Sequence, residues 1–279
     1  MFVLKFNMKD FSFDIGKRTY VMGILNITPD SFSDGGRYYN LDDAVKHAHY
    51  IEDAGADILD IGAQSTRPGH TPVTPEEEIR RFENLLKEIR GNINIPISID
   101  TYYPQAAAAA LEMGASIIND VSGKINPEMA SIVKQSGAGW ILMHNGNPPS
   151  DIVKSVHDEL VSMAAAVEAL GIDSSHICLD PGIGFGKDDY MQNIELVRRT
   201  GEVRPDGYAY LVGLSRKRFV GEATGVIIAD QRDIGTAVAN TAAIMGGADI
   251  IRVHNVEYGV QTARMADLLY RCDDGGKNG

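Results

Sequence analysis

Eight short apolar runs in this chain each end on residues that can donate or accept a hydrogen bond or carry charge. The first ends at Asn26. The second leads into Gly62-Ala63-Gln64-Ser65-Thr66-Arg67-Pro68-Gly69. The third ends at Asp100, the fourth at Asn119-Asp120, the fifth at Met143-His144-Asn145 and the sixth at Asp180. The seventh runs into Ser215-Arg216-Lys217, and the eighth carries Arg252 and His254. A lone Asp after a strand is more often a helix cap than a catalyst. A polar group after every run is more than a purely structural scaffold requires.

The residue types suggest tasks. Asp100, Asn119 and Asp180 suit the edge of a flat heterocycle, because a carboxylate can accept two parallel N–H bonds. Lys217 can donate to a ring carbonyl or ring nitrogen. Arg252 and His254 lie two apart on a strand and so share a face, as a pair that could hold an anion. Two bland readings stay open: an internal salt bridge from Arg252 to a rim carboxylate, and a buried core histidine at 254. The loop Ile27–Gly36 and the loop 62–74 lack periodicity and have the character of lids. The run Asp180-Pro181-Gly182-Ile183-Gly184-Phe185-Gly186-Lys187 invites a phosphate-loop reading. It fails that test, since Lys187 is followed by Asp188 rather than Ser or Thr. A tight turn explains its glycines and leaves Phe185 as an apolar wall. No Ser-His-Asp order or HExxH motif is present, and hard oxygen ligands suit Mg²⁺ better than Zn²⁺.

The elements that must position these residues alternate. The apolar runs Val21–Leu25, Ile58–Ile61, Ile95–Ile99, Ser116–Ile118, Gly139–Met143, His176–Leu179, Tyr210–Leu214 and Ile250–Val253 have the length of strands buried on both faces. Between them fall helices at Leu41–Ala54, Pro75–Ile89, Pro104–Met113, Pro127–Ser136, Ile152–Leu170, Tyr190–Arg199, Asp233–Met245 and Glu257–Tyr270. Thr74-Pro75 and Asn126-Pro127 are starts, and Gly55, Gly114 and Gly246 are stops. The pattern predicts an α/β fold, a (β/α)8 TIM barrel, for which about 250 residues is the usual size. One domain is expected over residues 1–279. Residues 1–20 are expected to form an N-terminal β-hairpin turning at Asp14-Ile15-Gly16-Lys17, and a disordered tail is expected at 272–279.

The 279 residues carry a net charge of -12, with 44% hydrophobic and 23% charged residues. That balance argues against a nucleic-acid partner, whose phosphates need clustered cations. It leaves a local cation site for a small anion untouched. Cys178 and Cys272 form no metal knuckle or disulfide framework. No apolar run approaches the roughly 20 residues of a membrane span, and the opening MFVLKFNMKDF has scattered charges and no apolar h-region, so it is not expected to act as a signal peptide. A cytoplasmic location is expected.

At these residues the chain resembles the dihydropteroate synthase family of pterin-binding TIM barrels. The matching segments are MGILNITPDSFSDGG (22–36), DIGAQSTRPG (60–69), ISIDT (97–101), IINDVSG (117–123), LMHNGNP (142–148), LDPGIGFGK (179–187), VGLSRKRF (212–219) and IIRVHNV (250–256). The resemblance implies condensation of 6-hydroxymethyl-7,8-dihydropterin pyrophosphate with p-aminobenzoate, releasing pyrophosphate. It implies that Asp100, Asn119, Met143, Asp180, Phe185, Gly213 and Lys217 hold the pterin. Asn26, Arg252 and His254 would hold the pyrophosphate, with Mg²⁺ at Asn26. Asp30, Phe32, Thr66, Arg67, Pro68 and Ser215 would form the p-aminobenzoate pocket. Asp100, Lys217, Arg252 and His254 would carry the chemistry. A homodimer through late barrel helices and a sulfonamide target are also implied. Gln64 stands where the family often has Glu, and the segment after the fifth strand is short and rich in Asn and Gly. Two alternatives share the pterin-facing residues: a methyltetrahydrofolate-binding methyltransferase barrel and a non-catalytic pterin-binding paralogue.

Overall fold

The computed structural model describes residues 3–27, 41–64, 73–148, 151–187 and 189–271. The chain opens with an antiparallel hairpin, β1 (Lys5–Met8) and β2 (Phe11–Asp14), in which Phe6 pairs with Phe13. Its turn is Lys9-Asp10, not the expected Asp14–Lys17. Two-residue hairpin loops need a positive φ, and Lys9 supplies it at 51°. Lys9 is held there by its backbone N–H on the Gly137 carbonyl (2.7 Å) and its ammonium on the Leu111 carbonyl (2.7 Å). Gly16, at φ 87°, turns the chain from the hairpin into the barrel instead.

The barrel consists of eight parallel strands: β3 (Tyr20–Asn26), β4 (Ile58–Gly62), β5 (Ile97–Asp100), β6 (Ile117–Asp120), β7 (Gly139–Met143), β8 (Ile177–Asp180), β9 (Ala209–Gly213) and β10 (Ile250–Val253). β10 pairs with both β9 and β3 and closes it. The outer helices are α1 (Leu41–Asp53), α2 (Pro75–Ile89), α3 (Pro104–Glu112), α4 (Pro127–Ser136), α5 (Ile152–Ala169), α6 (Tyr190–Arg198), α7 (Thr200–Val203), α8 (Arg218–Thr224), α9 (Asp233–Met245) and α10 (Val256–Tyr270). Helix α2 begins where Thr74 accepts from the Glu77 N–H (3.3 Å) ahead of Pro75. Helix α4 begins where Asn126 accepts from the Glu128 N–H (2.9 Å), and it ends at Gly137 with φ 68°. Helices α7 and α8 were not expected; four and seven residues are too few to display a helical period.

Side chains on a strand alternate between faces, and this sorts the barrel into two chemistries. One set of alternating positions packs against the helices, among them Leu59, Ile61, Ile118, Leu142, Leu179, Val212, Ile251 and Val253. The other set faces the lumen. Near the N-terminal ends it is apolar: Met22, Ile58, Ile117, Ile141, Cys178, Leu211 and Ile250, plugged by Phe6 and Met8 of the hairpin. The plug is tight, for a Cβ on Gly139 would lie 2.8 Å from the Phe6 ring. Further along the same face come Asn26, Asp60, Asp100, Asn119, Met143, Asp180, Gly213 and Arg252.

Candidate active site

Strand register places this polar layer around one mouth. Gly62 stands level with Asn26 and Asp100, Asp100 with Asn119, Met143 with Asp180, and Arg252 with Gly213. Gly62 leaves room for its neighbour: a Cβ there would lie 3.2 Å from Asn26 Oδ1. The lumen between Asn26 and Asp100 is thus kept open by the missing side chain.

Arg252 spans the floor. Its Nε donates to Asp60 Oδ2 (2.7 Å), and its Nη2 reaches Asp60 Oδ2 (2.6 Å) and Asp100 Oδ2 (2.9 Å). Burial works against the Arg252 charge, but Asp60 and Asp100 together hold its pKa above the ordinary value. Asp100 is pushed up to about 7 by burial; Arg252 opposes this and Asp60 adds to it. Arg252 thus forms an internal salt bridge with both carboxylates. His254 turns to Ser215, whose Oγ lies 2.9 Å from His254 Nδ1 and accepts from the His254 backbone N–H at 3.1 Å.

Asp60 was missed in the sequence. It is fully buried, and one of its oxygens finds no hydrogen-bond partner among the described residues. The available signal was a carboxylate inside the apolar run ILDIG. Glu78, also missed, is buried on α2 and pushed up to about 7 by burial, against a hydrogen bond with Thr101. Gln64 donates to it at 3.2 Å. A Glu at position 64 would put two buried carboxyls face to face.

On the opposite wall, Asp180 Oδ1 accepts from the Gly182 N–H (2.7 Å). Burial raises the Asp180 pKa, with Lys217 pulling against it. The Lys217 ammonium donates to the Ile183 carbonyl and lies 4.5 Å over the Phe185 ring. Burial lowers it to about 8, opposed by Asp180. Beyond Phe185 a cleft of about 440 Å³ opens, bordered by Tyr102, Ser122, Lys124 and Asn145.

The turn carrying Ser215 and Lys217 is built around a strained residue. Arg216 has φ 58°, a conformation uncommon outside glycine. Asp233 holds it with two bonds to the guanidinium (2.7 and 2.9 Å), and Arg232 donates to its carbonyl (2.9 Å). Asp120 and His144, the remaining strand-end groups, face the helices rather than the lumen. Asp120 accepts from the Ser122 N–H (2.9 Å), and His144 is 1% exposed.

Among the described residues, no group of three or more His, Cys, Asp or Glu side chains is placed to hold a metal. Mg²⁺ characteristically takes few protein oxygens and completes its shell with water and substrate phosphates. The single carboxamide oxygen of Asn26 at the mouth fits that habit. Asp30, Phe32, Thr66, Arg67 and Pro68 lie outside the described residues, as do Cys272 and the expected tail. None of the helices described is long and apolar enough to cross a membrane.

Residues 22–254 match the family model described as "Pterin binding enzyme". A dihydropteroate synthase from Clostridium beijerinckii is 41% identical over 93% of this chain and 97% of its own length. Among solved structures, a Clostridium difficile dihydropteroate synthase crystallised in the presence of pteroic acid is similar at TM-score 0.88 and 44% identity. It spans 93% of this chain and all of that one. A Xanthomonas albilineans dihydropteroate synthase with 4-aminobenzoic acid is similar at TM-score 0.91 and 36% identity, spanning 98% of this chain and all of that one. A closed barrel with a lumenal layer of carboxylates, amide and cations, matched along nearly its whole length by such proteins, belongs to the dihydropteroate synthase family of pterin-binding enzymes.

Proposed function

We propose that this chain, a transferase, joins 6-hydroxymethyl-7,8-dihydropterin pyrophosphate to p-aminobenzoate by a reaction in which bond breaking runs ahead of bond making. The methylene C–O bond breaks and its electron pair leaves with the pyrophosphate. The C–N bond then forms from the amine lone pair, and the resulting ammonium loses a proton. The aromatic amine is weakly basic, so this proton needs no dedicated base.

One observation carries the reading: the lumen presents Asp100, Asn119, Asp180 and Lys217 around one mouth that Arg252 spans. The carboxylates and amide are suited to the N–H and carbonyl edge of the pterin, with Met143, Phe185 and Gly213 as walls. Asp100 and Asp180 also face the positive charge that develops as the leaving group departs. Arg252, His254 and Asn26 are the residues for the pyrophosphate. Asn26 would hold Mg²⁺ there, and the ion would supply charge neutralisation for the leaving group. Ser215, bonded to His254, would serve the p-aminobenzoate pocket together with Asp30, Phe32, Thr66, Arg67 and Pro68. A sulfonamide, which presents the same aniline, would compete there. A cytoplasmic homodimer is part of this reading.

The test is pyrophosphate release from the two substrates by wild type and Arg252→Gln. Arg252→Ala is a poor probe, since removing one partner of a buried pair costs about 3–5 kcal/mol and Asp60 would be stranded. Arg252→Gln keeps a donor near Asp60 while removing the charge. Turnover is expected to fall by about 100-fold or more, with the circular dichroism spectrum retained. Near-normal turnover would sink the assignment of Arg252.

A further inference from the structure

Lys187, set aside above as a phosphate-loop lysine, is 2% exposed and lies beneath the pterin-side turn rather than in the mouth. Its Nζ is 2.8 Å from His144 Nδ1 and donates to the carbonyls of Gly182 (2.9 Å), Phe185 (3.0 Å) and His144 (3.4 Å). On the far side of the imidazole, Glu159 of α5 lies 2.9 Å from His144 Nε2. The partners of this buried amine are thus carbonyls and a ring nitrogen. Burial pushes Lys187 down to about 7, with Asp180 resisting.

The turn above it packs closely on the loop that follows β7. Gly182, at φ 63°, packs so closely on the neighbouring loop that a Cβ would lie 1.8 Å from the His144 carbonyl oxygen. Gly186, at φ 65°, packs on the Gly146 backbone, with a Cβ contact of 2.7 Å. The Gly182 carbonyl also accepts from the Phe185 N–H (2.9 Å), which closes the turn. From outside, Asn193 accepts from the Gly184 N–H (2.6 Å) and donates to the Lys187 carbonyl (3.0 Å). From inside, Lys187 alone of these gathers the carbonyls that point into the protein. Buried carbonyls stripped of a donor are costly to leave unpaired, so without it the Phe185 carbonyl would lose its ammonium donor and the turn would shift to compensate. The turn carries the Phe185 ring beside the Lys217 ammonium and the Ile183 carbonyl bonded to it.

We infer that Lys187 is a positioning residue of the pterin site: its Nζ gathers the Gly182, Phe185 and His144 carbonyls so that the 181–187 turn holds Phe185 and the Ile183 carbonyl against Lys217. The inference rests on the proposed function for its substrates. It assigns Lys187 no contact with them, and it places the effect on one substrate only.

Two variants test it. Lys187→Met keeps the length and loses the donors; Lys187→Gln keeps an amide donor with shorter reach. Calorimetry with a dihydropterin and the KM of each substrate are the readouts, after wild type has been assayed for pyrophosphate release. Lys187→Met is expected to weaken pterin binding by about 10-fold or more, the scale of one lost buried hydrogen-bond set. Lys187→Gln is expected to weaken it by roughly 3-fold, as a partial rescue. The KM for p-aminobenzoate should move less than about 2-fold in either. Should the Met variant fail to fold, the Gln variant carries the same comparison. Unchanged pterin binding in the folded variants, or equal losses for both substrates, would overturn the inference. A wild type that binds pterin but releases no pyrophosphate would overturn the proposed function instead, while the binding comparison still decides the role of Lys187.

Discussion

Asp100 has to serve two partners, and its protonation decides whether it can. It accepts from Arg252, and in the proposed reaction it must also accept N–H bonds from the pterin. The carboxylate does both best, because a protonated carboxyl turns one of its oxygens into an O–H donor. Burial, opposed by Arg252 and reinforced by Asp60, sets its pKa at about 7. Below that value the folded protein carries a proton that the ligand must displace. Dihydropterin affinity should therefore rise with pH by up to about 10-fold per unit until it levels off above about 7. Stability runs the opposite way. The folded chain keeps a proton that the unfolded chain gives up near the ordinary carboxylate value, so the contribution of Asp100 is full below about pH 4 and lost as pH rises through about 7. Calorimetry across this range on wild type and Asp100→Asn checks the binding side. A flat wild-type profile, or an unchanged slope in the variant, would rule Asp100 out as the titrating group. The neighbouring Asp60 shows why part of the site was not legible. Residues at the ends of strands announce themselves because a βα junction is where polarity changes. Asp60 sits two positions earlier, within ILDIG, and only the period-two sorting of the closed barrel puts it on the lumenal face beside Arg252.

Elements were legible where local chemistry punctuates them. Thr74-Pro75 and Asn126-Pro127 marked α2 and α4 because a side-chain oxygen and a missing N–H satisfy the same orphaned helix start. The hairpin turn was misplaced because Asp14–Gly16 has stronger turn chemistry than Lys9-Asp10. Contacts of Lys9 with Gly137 and Leu111, more than a hundred residues away, decide the matter. The same distinction between local and tertiary demands yields a prediction for glycines. Gly182 and Gly207 both have positive φ, 63° and 88°. Gly207 has open space around a would-be Cβ, whereas Gly182 has the His144 carbonyl at 1.8 Å. Gly207→Ala should cost about 1 kcal/mol, the left-handed penalty alone. Gly182→Ala should cost about 3 kcal/mol or more and displace the turn that carries Phe185. Thermal melts of both variants make the comparison, and equal Tm losses would show that the loop packing at Gly182 yields easily.

At the scale of the molecule, charge and apolar surface are unevenly spread. The chain is strongly acidic overall, yet its last two helices turn large apolar side chains outward. Ile234 and Val238, one turn apart on α9, are 73% and 68% exposed, and Leu268 on α10 is 64% exposed. Ile227 and Ile228, ahead of α9, are exposed as well, and so are Met245, Met265 and Leu269. Helices α9 and α10 pack side by side, which sets the exposed side chains of the two on neighbouring elements. Exposed apolar side chains gathered in this way are a usual mark of a protein interface. The active-site mouth needs none of it, because the lumenal layer is assembled within one barrel. The dimer in the proposed function would accordingly cover the α9–α10 face and leave the mouth open. Glutamates at Val238 and Leu268 would bury charge in that contact, at a cost on the order of several kcal/mol per ion. Sedimentation or light scattering should find wild type at twice the chain mass of 30.3 kDa. The Val238→Glu, Leu268→Glu variant should fall to that single-chain mass while pterin binding survives. A wild type that runs as a single chain, or a variant whose mass does not change, would remove α9 and α10 as the dimer face.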